Sequence, residues 1–159
     1  MSEAIFSEGE HRVLVSGPVG QIEVALSVPS GAASGFAIVC HPHPLMGGTM
    51  DNKVVTTLAR VCRDAGLIAI RFNFRGVAAS AGSFDQGIGE QSDVLALAQW
   101  AQTQFALPWC VLAGFSFGSY VSAQVLAGLT ANGVRSDIAV QPALWLVGPP
   151  VTRFALSAQ

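Results

Sequence analysis

Charge is what this sequence has least of. Of its 159 residues only 11% are Asp, Glu, Lys or Arg, against 51% hydrophobic, and the mean hydropathy is +0.50. That balance excludes intrinsic disorder and charge-laced coiled coils, which need the opposite composition. Between Asp93 and Arg135 there is no charged residue and no histidine, and from there on only Arg135, Asp137 and Arg153 carry charge, so the second half reads as interior. Long unbroken apolar runs are also missing. A membrane-spanning helix needs about 20 nearly continuous apolar residues, and Gln99, Gln102, Gln104, Pro108 and Gly114 interrupt the uncharged stretch. There is no excess of basic residues: a net charge of -2 and a pI near 5.8 give no electrostatic case for nucleic acid. The segment Met1 to Arg12 is acidic and lacks a basic-then-apolar leader, so a cytoplasmic protein is expected. The three cysteines, Cys40, Cys62 and Cys110, are scattered and odd in number, which suits reduced, buried small residues better than a disulfide framework. Repeats, low-complexity tracts and linkers are absent, and the length suits a single domain over residues 1–159.

What is present is an alternation of short apolar runs with helical patterns. Arg12 to Ser16 and Gln21 to Val28 flank the Gly17-Pro18 and Gly20 turn signals and predict an antiparallel hairpin. Phe36 to Cys40, Leu67 to Phe72, Trp109 to Ala113 and Ala143 to Val147 predict strands buried on both faces. Between them lie three predicted helices. The first is capped by Asp51 and runs to about Ala65, with Val54, Val55, Leu58, Val61 and Cys62 facing inward. The second spans Ile88 to Phe105 with Val94, Leu95, Leu97, Ala98 and Ala101 on its apolar face. The third spans Phe117 to Leu129. Glu90 and Asp93 fall in the early turns of the second helix, where the macrodipole favours negative charge. Strands alternating with helices predict an α/β fold with a mostly parallel sheet covered on both faces.

Two segments carry candidate chemistry. Gly114-Phe115-Ser116-Phe117-Gly118 sits between a predicted strand and a predicted helix. A serine on such a strained turn needs small flanking residues, and the helix after it aims N–H groups at a developing anion. Cys40-His41-Pro42-His43-Pro44-Leu45-Met46-Gly47-Gly48-Thr49 leaves the end of an earlier strand, and loops at the carboxyl ends of parallel strands share one crevice. An oxyanion hole would take one N–H from Phe117 and a second from this loop. Pro42 and Pro44 have none, which leaves His43, or Leu45 as its substitute. Cys40, His41 and His43 also raise a metal site, but adjacent extended residues point to opposite faces and two histidines are too few ligands; a local hydrogen-bonding role for His41 is the plainer reading. Arg71 and Arg75 are expected to anchor crevice loops. Leu45, Met46, Phe115 and Phe117 are candidate crevice liners, the two phenylalanines alternatively packing the core beneath the turn.

The segments HPHPLMGGTMDNKVV, RFNFRGVAAS, SFDQGIGEQSDV and LAGFSFGSYVSAQ, in that order, resemble the small lidless α/β hydrolases of bacteria, related in style to dienelactone hydrolases, over about Phe36 to Val151. Ala78 stands where the usual R-G-x-G-x-S form has glycine, which questions the local turn. The resemblance implies a serine hydrolase of small esters, thioesters or lactones, with Ser116 as nucleophile in a nucleophile elbow, two backbone N–H groups as oxyanion hole, no cofactor, and a Ser, acid, His order along the chain. That order is not met here. No histidine follows Ser116; His11, His41 and His43 all precede it, and Asp137, the one later carboxylate, lies before the last predicted strand. His41 or His43 as base is allowed only because their loop faces the turn. The expectation is a chain truncated at its C-terminus relative to the family, impaired as an enzyme, with an uncovered sheet edge able to support a homo-oligomer. The alternative is a catalytically silent ligand-binding or interaction protein on the same fold.

Overall fold

Alternating polar and apolar residues over the first strands produce a two-faced hairpin. β1 (Gly9–Gly17) and β2 (Gly20–Val28) pair antiparallel from Gly9↔Val28 to Gly17↔Gly20, which leaves Pro18 and Val19 as the turn. The computed structural model describes residues 6–131 and 142–150, so Asp137, Arg135 and Arg153 lie outside the described residues. The continuous apolar runs become β3 (Gly35–Cys40) and β4 (Leu67–Phe72), buried at every position, and β5 (Trp109–Phe115). β6 (Ala143–Val147) completes a six-stranded sheet ordered β1-β2-β4-β3-β5-β6. β1, β2 and β4 pair antiparallel, while β4, β3, β5 and β6 run parallel.

The two-residue period of a strand decides what each face packs against. Ala37, Val39, Ala69, Val111 and Ala113 point to one side and meet Val55, Ala59 and Cys62 of α1 (Lys53–Asp64). Phe36, Ile38, Ile70 and Leu112 point to the other. There they meet Val94, Leu97 and Ala98 of α2 (Ile88–Phe105) and Val121, Val125 and Leu129 of α3 (Phe117–Ala131). Each such fully buried large side chain contributes roughly 1.5–3 kcal/mol of transfer free energy. The small residues on the α1 side let that helix lie close to the sheet. Among the described residues no helix is long and apolar enough to cross a membrane.

Three expectations need correction. The cap of α1 is Asn52, whose side chain accepts from the N–H groups of Val54 and Val55; Asp51 is one residue early because its carboxylate is held by Arg12 and Arg71. Val61 is half exposed and Ala59 takes its place on the buried face. β6 is not buried on both faces. It pairs with β5 alone among the described strands, and its residues are half-buried or exposed, because an edge strand has neighbours on one side only.

Candidate active site

The sharpest local constraint is at the β5–α3 junction. Ser116 adopts φ +55, a left-handed conformation that a residue with a side chain takes only under constraint. The constraint comes from both neighbours in the pattern. A Cβ on Gly114 would collide with the Gly118 carbonyl and stand 2.6 Å from the Ser119 nitrogen; one on Gly118 would collide with the Cys40 carbonyl and stand 2.6 Å from the His41 oxygen. Only glycine allows α3 to begin this close to β5 and to the end of β3. The turn is then pinned from below. Ser116 donates its N–H to the Val147 carbonyl at 2.9 Å, the Ser116 carbonyl accepts from Ser119 N–H at 2.9 Å, and Ser119 Oγ lies 2.8 Å from the Gly114 and 2.9 Å from the Val147 carbonyl oxygens. Ser116 itself is half-buried, at the head of α3.

The loop after β3 meets this turn. His43 caps a single 3-10 turn, Pro44–Met46; its Nδ1 accepts from Leu45 N–H at 3.1 Å, and its carbonyl accepts from the N–H groups of Met46 and Gly48 at 3.0 Å each. The His43 ring lies against the rings of Phe84 and Phe117, each at 4.9 Å, which joins the loop to the residue that follows Ser116. His41 is fully buried. Its Nε2 accepts from Phe74 N–H at 3.0 Å, which fixes the proton on Nδ1, and Nδ1–H donates to the Pro42 carbonyl at 2.6 Å. Burial lowers its pKa to about 4, against a smaller upward pull from the Pro42 carbonyl, so the ring is neutral at pH 7. Burial likewise pushes the Cys40 thiol up to about 12, so it holds its proton.

Charged residues hold the loops from outside. Arg71 donates to the Met50 carbonyl at 2.7 Å and to Asp51 at 3.1 Å, while Asn73 accepts from Met50 N–H and donates to Glu23, both at 2.9 Å, so both backbone groups of Met50 are fixed. Arg75 makes a bidentate pair with buried Asp93, at 2.8 and 3.2 Å. Asp93 therefore serves Arg75 rather than the helix dipole. Glu90, also buried, accepts from the N–H groups of Asp85 and Gly87 and closes the loop onto α2. Ala78 takes φ +47, the backbone conformation that glycine would have adopted at that position.

Ser116, Phe117 and the His43 loop are therefore brought together. Phe117 is buried at the centre of an aromatic cluster with His43, Phe74 and Phe84, so its ring is core. Phe115 points to the opposite sheet face and packs with the α1-side cluster. Leu45 and Met46 stand 68% and 72% exposed on the loop. Sequence reasoning assigned no role to Asn73 or Ser119. The signal for Asn73 was available: a polar residue between Phe72 and Phe74, both fully buried, has to meet a specific partner.

No protein-family model matches the chain. Its structure is similar to that of a lidless α/β serine hydrolase from Xanthomonas campestris, with 40% identity, a TM-score of 0.83, and coverage of 98% of this chain and 68% of that one. An α/β serine hydrolase homologue from Coxiella burnetii is 38% identical with a TM-score of 0.76, over 96% of this chain and 85% of that one. An uncharacterised protein of Rickettsia prowazekii is 37% identical over 116 residues, which cover 72% of this chain and 49% of that protein, so the chain spans about half the length of the curated relative it matches. With this sheet order, this turn and these identities, the chain belongs to the α/β serine hydrolases.

Proposed function

We propose that the chain carries the nucleophile and oxyanion elements of a cytoplasmic hydrolase of small carboxylic esters, thioesters or lactones, with Ser116 as nucleophile. The observation that carries this reading is the left-handed Ser116 between two glycines whose hydrogens are the only substituents that fit. Attack of Oγ on the carbonyl carbon forms a C–O bond, moves the carbonyl π pair onto oxygen and requires the hydroxyl proton to leave. The Phe117 N–H, at the first position of α3, and the His43 N–H are the oxyanion donors; Leu45 is the weaker choice because its N–H is directed to His43 Nδ1. Leu45 and Met46 form an apolar rim for the substrate, with Phe115 behind the turn.

The Ser116 hydroxyl proton needs an acceptor. None of the three histidines follows Ser116. Both His41 nitrogens are bonded to backbone, and His43 Nδ1 accepts from Leu45, which in the neutral ring puts the proton on Nε2 and removes the lone pair a base would use. Neither loop histidine is therefore set to take the Ser116 proton. The same observation favours a second reading, a silent ligand-binding or interaction protein, for which the outer edge of β6 offers a surface for self-association.

Hydrolysis of p-nitrophenyl acetate separates the two. The hydrolase reading predicts slow acetylation of Ser116 with release of nitrophenol, read as an acetyl adduct by intact mass and absent in Ser116→Ala; the residual rate of roughly 10³–10⁴-fold over water that oxyanion binding alone supplies would remain in both proteins. A wild-type protein that takes up no acetyl group would favour the silent reading. Turnover in the usual enzyme range of roughly 1–10³ per second would show that a base serves Ser116.

A further inference from the structure

Four of the eight cationic residues of the chain converge on one cleft away from Ser116, and the strand register explains why. Arg12, Ala25 and Arg71 stand in one row across β1, β2 and β4, and Glu10, Ser27 and Ala69 in the next row on the same face. The middle strand contributes only small side chains to these rows, so space remains between the sheet and α1. Arg60 and Arg63, three apart on α1, close that space from above. The result is a cleft of about 320 Å³, within the range of small-molecule sites.

Its lining holds four guanidinium groups against one carboxylate, Glu10, which is already engaged by the Ser27 hydroxyl and by Arg71 at 3.6 Å. Arg71 is buried and fixed by Met50 and Asp51, and Arg12 is held by Asp51 at 3.0 Å, so the inner wall is preorganised. The outer wall is electrostatically open. Arg63 pairs only with its neighbour Asp64, an exposed contact of little strength, and Arg60 makes no ion pair among the described residues. All four cations are arginine, whose planar fork matches the paired oxygens of a phosphoryl group better than a lysine ammonium does.

We propose that this cleft is a binding site for a phosphate-type oxyanion, the phosphate or diphosphate group of a small metabolite, with Arg60 and Arg63 as its mobile clamp over a floor of Arg71 and Ser27. Calorimetric titration at low ionic strength with pyrophosphate, inorganic phosphate and citrate tests it. Pyrophosphate is expected to bind one to one at submillimolar concentration. Its affinity should fall at least about tenfold in Arg60→Gln/Arg63→Gln and by a smaller factor in Arg60→Gln alone, whose exposed position leaves the melting temperature of the anion-free protein unchanged, and should stay the same in Ser116→Ala. Absence of saturable binding, an affinity indifferent to the double substitution, or citrate binding as tightly as pyrophosphate would each overturn the assignment.

Discussion

Ser116 and His41 are each held in a state their residue types do not adopt unaided, Ser116 in its backbone and His41 in its protonation. The left-handed backbone of Ser116 costs on the order of 1 kcal/mol that glycine would not incur. Ser116→Gly is therefore expected to raise unfolding stability by about 1 kcal/mol, while Ser116→Ala, which keeps the Cβ, leaves it near the wild-type value; urea denaturation reads both. His41 is held neutral by burial, with a folded pKa of about 4 against an ordinary 6.5. The unfolded chain binds the proton first as pH falls, so the stabilisation from this residue is complete above pH 6.5 and is lost progressively between 6.5 and 4. It amounts to an order of 3 kcal/mol. Denaturation midpoints should fall across that window in the wild type and fall less in His41→Gln. A parallel decline in both proteins would assign the loss to other groups. Neither role was legible from residue type alone: G-x-S-x-G shows where the strain belongs, but which atoms His41 meets depends on Phe74, which the sheet brings beside it from 33 residues away.

At the scale of elements, the apolar runs and helical spacings placed β3, β4 and α2 at their observed positions, because each pattern is a direct image of two-sided or one-sided burial. Errors arose where tertiary contacts outrank local preference. Asp51 is a sound cap by type, but two arginines from β1 and β4 take its carboxylate and outweigh the opposing effect of burial, holding its carboxyl below the usual range; Asn52 is left to cap α1. The α2 start is fastened to the β4 exit by the buried Arg75–Asp93 pair, at 2.8 Å and with Asp93 wholly enclosed. Removing one partner strands the other charge, so Asp93→Ala should cost about 3–5 kcal/mol by denaturant titration. A cost under about 1 kcal/mol would mean that the loop between β4 and α2 does not depend on this pair.

For the whole molecule, a mostly parallel sheet that starts with an antiparallel hairpin and carries helices on both faces follows from the alternation of strands with helices, whereas the strand order and the division into an α1 side and an α2–α3 side emerge only in the folded chain. β6 was misread as interior because Ala-Leu-Trp-Leu-Val has the composition of a central strand, and composition does not record how many neighbours a strand has. The turn at Ser116 and the loop that meets it were legible, since both are local motifs at strand ends. The clamp on Met50 and the arginine cleft were not, because each is assembled from residues of separate elements. Ser116 is proposed as the nucleophile, with the N–H groups of Phe117 and His43 as its oxyanion donors. Intact-mass analysis of the folded protein after prolonged exposure to a fluorophosphonate tests it most directly. The expected result is slow, single-site, stoichiometric labelling that maps to Ser116 and vanishes in Ser116→Ala; no labelling of the folded protein, or labelling that survives the substitution, would contradict it.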